Sequence, residues 1–532
     1  MGLGRIFRGL RRRSTYDDCG LVLPRPPRRK WFTLPVRVAA AVLLVLGGAY
    51  GVVAFRYWND RPQLTHNYAA EINQRILALP ASERGWPRYL PILAELAGDW
   101  PKEQWDGEPA DVLTREDVRA FVQGKRAILA QARELAKLPA LGYALRDRPT
   151  LEEALSEHPE LTREQLEKSL QPASENPCLI EIRLPFSTFT NLTCCLRAEA
   201  VRAGNRGNGE LATDDLVAVM QLADQLRESE FFISDLAGAR ELSRALQTWG
   251  LLLELPTCPL SDEQLRRLEQ RTIAFGGGDI PVRGDNERLV FMDAVQRMYT
   301  DDGHGDGHMF VPAVGEALGD PDELDWQVRI LAPLTTRRFW SRRKLVDDYD
   351  RMLALQRESL DTPLAQVSAS PYLAELERLK ADKRNGLLNL MLFNSRILAF
   401  RRAQARQQRD AILVVSAAAR YRLAHGSWPK AMGELVPKFL ARVPPDQLSG
   451  GSICYRLVDG SPIVYSRGAD GRDDGGVPAR LAGGAAVDAE HPLEAAQSWR
   501  WDNINALDQR PQGDWVLWPI TDRAEEPFEE TP

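Results

Sequence analysis

The hydrophobic pattern is dominated by Val38 to Phe55, eighteen consecutive residues that carry no charge. At about 1.5 Å per residue, a helix of that length spans about 27 Å, close to the hydrocarbon thickness of a bilayer. Trp31 before it and Tyr57-Trp58 after it suit interfacial aromatic belts. The stretch is apolar on every face, unlike an amphipathic core helix, and this predicts a transmembrane helix over 38–55. Val52-Val53-Ala54 could be read as a signal-peptide cleavage site, but the polar region before the apolar run is too long for that, which favours a retained signal-anchor.

Beyond residue 64 the apolar positions recur at helical spacing to about residue 385. Thr114-Arg-Glu-Asp117 precedes a stripe of Val118, Phe121, Val122, Ile128, Leu129 and Leu135. Thr162-Arg-Glu-Gln165 and Ser261-Asp-Glu-Gln264 have the spacing of capping boxes. Thr213 before Asp214-Asp215 predicts another helix start. Pro- and Gly-rich links separate these segments, and no fixed long repeat is visible, so an irregular array of antiparallel helices is expected. A long helix is predicted from Asn385 to Ala424, stopped by His425-Gly426. Ser452–Leu457 and Pro462–Ser466 read as strands joined at Asp459-Gly460, a hairpin signal. The fold class expected is mainly α: an N-terminal transmembrane helix, a helical-array ectodomain over 56–385, and a small α+β module over 386–520. A basic tail (1–37) and an acidic tail (521–532) flank these parts.

Charge adds an orientation. Nine arginines and Lys30 against Asp17 and Asp18 give residues 1–37 about +8. By the positive-inside rule the N-terminus is cytoplasmic and the body lies outside, as expected for a single-pass protein of a bacterial inner membrane with its bulk in the periplasm. The whole chain is at −6, so the remainder is acidic and nucleic acid is not an expected partner. Apolar residues make up 44% of the chain, enough for a packed core. Of six cysteines, only Cys19 precedes the apolar stretch, and no CxxC pair suggests zinc or redox chemistry. Cys194-Cys195 on a helix reads as core packing.

Candidate chemistry is sparse. No GxSxG, HExxH, Walker A or GxGxxG pattern occurs. In the loop Asp301–His308, Asp302, His304 and Asp306 partly match the first positions of a calcium loop, but position twelve falls on Ala313, which has no carboxylate. A transition-metal site or a simple Gly-rich turn are the other readings of that loop. A second acidic loop, Gly468-Ala-Asp-Gly-Arg-Asp-Asp-Gly-Gly476, closes the C-terminal module.

The ordered set Arg420–Pro429, Glu434-Leu-Val-Pro437, Val443-Pro-Pro-Asp446, Tyr455-Arg456 and Tyr465-Ser-Arg-Gly-Ala-Asp-Gly471 resembles the globular end of the major pseudopilin of type II secretion. Most of the chain also resembles bacterial membrane-anchored proteins in which a helical body precedes the same ending, a likeness that implies no particular activity. The pseudopilin resemblance covers roughly residues 405–520. It implies a long helix carrying a small antiparallel sheet, and a last loop that binds calcium through Asp470 and Asp473, with Asp474 as neighbour and Asp514 as the downstream ligand. The chain departs from the family in two places. Trp31-Phe-Thr-Leu-Pro-Val36 lacks the Gly and Glu of a prepilin cleavage site, so processing and polymerisation as a pilin are not expected. The family's Asp-Pro-aromatic-Gly turn reads Asp446-Gln-Leu-Ser-Gly450 here, which leaves that turn's geometry open. Three functions follow as expectations: a non-enzymatic component docking to an envelope or secretion partner, a membrane-tethered hydrolase with an acidic cleft, or a structural envelope scaffold.

Overall fold

The computed structural model describes residues 33–100, 105, 107–158, 161–182, 184–257, 260–280, 282, 284–317, 326–360, 370–392, 395–468, 471–477 and 513–519. Most of the basic tail, all of the acidic tail, Cys19, Cys258, His491 and Asp470 lie outside the described residues. The chain divides into two units, Met1–Asp60 and Arg61–Pro532. The described part of the first is one helix, α1 (Thr33–Asn59). It is long and apolar enough to cross a membrane, and none of its apolar window is buried in protein.

The second unit is mainly helical. In α2 (Trp86–Asp99), Tyr89, Ile92, Leu93 and Leu96 make the buried stripe. The stripe read after Thr114 is divided between α3 (Glu116–Gly124) and α4 (Arg126–Ala136). The break falls at Gly124-Lys125, where the Lys125 amide closes α3 on the Phe121 and Val122 carbonyls. Thr114 does not cap α3. It ends a short preceding helix, Asp111–Thr114, and Arg115 takes the capping position with Asp111 and Asp117 around its guanidinium.

The centre is built by α5 (Phe186–Asn205), α6 (Gly209–Gln225) and α7 (Phe232–Glu254), which pack on one another. Small residues permit this close approach. A Cβ on Gly238 of α7 would stand 2.5 Å from the Ala223 carbonyl oxygen of α6. Thr213 does not start α6. Asn208 caps it, and Thr213 is buried one turn inside, donating to the Gly209 carbonyl at 2.8 Å. The Thr162 and Ser261 capping boxes form as expected, the latter opening α8 (Asp262–Ala274). Arg267 pairs with Glu210 and Asp214, and Arg271 with Asp224, fastening α8 to α6.

A second cluster gathers α9 (Glu287–Met298), α10 (Arg342–Leu360) and α11 (Pro371–Ala381) around Phe291 stacked on Tyr349. The long helix expected from Asn385 is two helices: Gly386–Met391, then α12 (Ser395–His425). Gly426 ends α12 with φ +77°, a conformation that costs glycine little. The strands are β1 (Cys454–Val458), β2 (Ser461–Ser466) and β3 (Trp515–Trp518), antiparallel in the order β1-β2-β3. Asp459 and Gly460, both at positive φ, make the two-residue turn. β3 packs on α12, and Trp518 Nε1 donates to the Gly250 carbonyl of α7 at 3.3 Å. The main core therefore runs without interruption from Trp86 through Trp249 to Ile412, Val464 and Trp518.

Candidate functional site

The acidic loop after β2 is assembled by a close approach at its two ends. A Cβ on Gly468, which has φ +63°, would meet the Gly513 carbonyl oxygen at 2.8 Å. Glycine there lets the start of the loop touch the start of β3, and this sets Asp514 against residues 473–476. The Asp514 amide donates to the Val477 carbonyl at 2.8 Å, and its Oδ2 accepts from the Gly476 amide at 2.7 Å. The side chain is wholly buried, and among the described residues its Oδ1 receives no hydrogen bond. Burial pushes the Asp514 carboxyl up from the usual range. The Gly476 and Asp474 amides hold it down, and the Asp473 and Asp474 carboxylates raise it further. Asp473 Oδ1 accepts from Tyr465 Oη at 2.9 Å and from the Gly475 amide at 3.1 Å. Both Asp473 and Asp474 are exposed. The structure thus gathers Asp473, Asp474 and Asp514 in one loop. Among the described residues, no group of three or more His, Cys, Asp and Glu side chains converges in the manner of a metal cage.

Beneath this loop lies Asp446, which the motif order marked only as a turn residue. It is 1% exposed. Its carboxylate accepts from the Leu448 amide (3.0 Å), Ser449 Oγ (2.6 Å), Ser466 Oγ (2.8 Å) and the Arg467 amide (3.1 Å). Its carbonyl accepts from the Gly450 amide, so Asp446–Gly450 closes as a turn without the family's proline or aromatic residue. One buried carboxylate therefore ties that turn to the end of β2 and the start of the acidic loop.

The loop at 301–308 follows α9 and rests on the start of α10. Asp302 Oδ1 accepts from the His304 and Asp306 amides, and Asp306 Oδ1 from the Gly307 and Arg343 amides. Asp301 pairs with Arg342. Gly307 is enclosed, since a Cβ there would lie 2.0 Å from the Thr300 carbonyl oxygen. Asp302 and Asp306 thus act as backbone caps that shape a turn.

The buried carboxylates of the helical body are engaged as well. Asp215 pairs with Arg133 at 2.6 Å, Glu199 with Arg202, and Asp293 with Arg297. Burial pushes Asp215 up to about 8 and Glu287 up to about 7. Cys194 and Cys195 are buried, and their thiols are pushed up by burial, as suits packing residues. Cys178, Cys194, Cys195 and Cys454 carry no disulfide. Comparison with known proteins finds no family, no characterised protein and no solved structure that matches this chain.

Proposed function

We propose that the chain is a single-pass protein of a bacterial inner membrane, with its N-terminus in the cytoplasm and residues 56–532 in the periplasm. Its C-terminal helix and sheet form a pseudopilin-like module that binds calcium and docks to an envelope or secretion partner without catalysing a reaction. Support for the anchor comes from the apolar helix α1 and from the arginines that precede it. The observation that carries the module's role is the enclosed Oδ1 of Asp514, which among the described residues accepts no hydrogen bond and has the Asp473 and Asp474 carboxylates nearby. A buried carboxylate oxygen without a partner is costly, and a hard cation would complete it. Asp514, Asp473, Asp474 and loop carbonyls, with Asp470 outside the described residues, are the oxygens that would hold calcium. Bound there, the ion would supply positive charge and fix the loop that presents the module's end.

The test uses the full chain in mild detergent. Millimolar calcium should raise its melting temperature saturably, and Asp514→Asn should abolish the rise. Cross-linking in membranes should recover an envelope partner that is lost in the same variant. An unchanged melting curve at millimolar calcium would overturn the metal site, and repeated recovery of no envelope partner would overturn the docking role.

A further inference from the structure

β3 is the last strand of the sheet and has β2 on one side only. In an antiparallel ladder, alternate residues turn their N–H and C=O groups to one neighbour and the rest to the other side. Among the described residues, the outward groups of β3 bond to no other backbone group. The strand reads Trp-Val-Leu-Trp, with no charge and no proline, and its pairing with β2 skips Leu517. An edge that carries neither charge nor proline is a template for a further strand.

That edge borders an open groove of about 450 Å³, walled by Leu246 and Gln247 of α7 and by Gln408 and Ile412 of α12. Trp515, Val516 and Leu517 all line it. Side chains alternate along a strand, so three successive lining residues mean that the edge of β3, main chain included, faces the groove. Leu246 and Ile412 are buried and make an apolar floor. Gln408 lies one turn from Ile412 on the same face of α12. Its Oε1 is buried and accepts no hydrogen bond among the described residues. A buried carboxamide oxygen left unpaired is costly, and an N–H donor in the groove would satisfy it. The last side-chain torsion of glutamine is soft, so the carboxamide can turn to meet that donor. None of the lining residues is ionisable.

We infer that this groove takes an extended, uncharged peptide segment of the envelope partner, added to the three-stranded sheet beside β3. Main-chain hydrogen bonds to β3 hold the segment, and Gln408 Oε1 accepts one further N–H. Alternate apolar side chains of the segment rest on Leu246 and Ile412. A charged segment would lose its hydration there and find no counter-charge. A second copy of this chain fits less well, because its own β3 arrives packed on α12, whereas a lone segment brings only its own width. The inference rests on the docking role proposed above and makes no use of calcium.

The test adds a short capped peptide of alternating threonine and valine to the full chain in mild detergent. Tryptophan fluorescence follows binding, since Trp515 lines the groove. The peptide changes the emission saturably. The same peptide with alternate backbone nitrogens methylated keeps its side chains but loses donors, and binds about tenfold more weakly or worse. Gln408→Met, close in size but without the acceptor, raises the Kd about fivefold, as the loss of one neutral hydrogen bond implies. Gln247→Phe fills the groove and abolishes binding. A wild-type chain that gives no saturable response overturns the inference, and this is also the outcome if residues 478–512 cover the edge. Equal binding of the methylated peptide overturns it, as does binding that Gln247→Phe leaves unmoved. A dimer in sedimentation that Gln247→Phe dissociates assigns the edge to a second copy instead. If cross-linking recovers an envelope partner while the peptide fails to bind, the strand pairing falls and the docking role stands.

Discussion

Glu287→Gln should make the protein more stable at pH 8 than the wild type and leave it nearly unchanged at pH 5. Glu287 opens α9 and is 4% exposed. Its Oε1 accepts one backbone hydrogen bond, from Phe232 at 2.7 Å. Burial pushes its carboxyl up to about 7, against an opposing pull from the Phe232 amide and with a further push from Asp235. An acid whose folded value is raised favours the protonated native state. Its stabilising effect is full below the unfolded value of 4.5 and is lost as pH rises through about 7. The gap corresponds to about 3 kcal/mol. The helix N-terminus favours the charged form and offsets about 0.5–1 kcal/mol of this. A net cost of about 2 kcal/mol above pH 7 is thus expected from the Glu287 charge. Glutamine keeps an acceptor for the Phe232 amide and carries no charge to bury. Urea unfolding of the full chain in detergent, followed by tryptophan fluorescence at pH 5, 6, 7 and 8, measures the difference. Because Asp215 and Glu228 are pushed up by burial too, to about 8 and about 7, only the difference between wild type and variant isolates Glu287. If both proteins lose stability in parallel across this range, the reasoning about Glu287 is wrong.

Two further substitutions probe the loops. Asp446→Ala removes the acceptor for two hydroxyls and three amides in a buried turn and should cost about 3–5 kcal/mol in the same unfolding assay; a loss under about 1 kcal/mol would show that the carboxylate does not organise the turn. Gly307→Ala forces a Cβ onto the Thr300 carbonyl and should cost about 2–3 kcal/mol. Gly386→Ala, where a Cβ meets open space in a helix, should be neutral or stabilising, and equal effects at the two sites would contradict the packing argument.

The parts of the fold that depend on neighbours in sequence were the legible ones. The apolar run gave α1, Thr162 and Ser261 form their capping boxes, and Asp459-Gly460 makes its hairpin turn, because each signal acts over a few residues. Thr213 misled because its hydroxyl satisfies a carbonyl one turn back inside α6, and only the position of Asn208 decides where that helix begins. The break between Met391 and Ser395 leaves no strong breaker residue in the sequence; Asn394 is the only polar one there. At the acidic loop the aspartates stood out by composition, but the burial of Asp514 depends on the contact between Gly468 and Gly513 across more than forty positions. Asp446 was legible only as a turn residue, because the donors that surround its buried carboxylate are brought in from the end of β2.

The contact between Trp518 and Gly250 has a kinetic meaning. It joins positions 268 residues apart, and β3 is the third strand of a sheet whose other two are a local hairpin. The hairpin pairs neighbours in sequence, whereas β2 keeps an unpaired edge until β3 closes on it from about fifty positions downstream. During that interval β2, with Ile463, Val464 and Tyr465, is an open template for a strand from another chain. Shielding this edge while the chain folds is therefore expected to raise the yield of native protein.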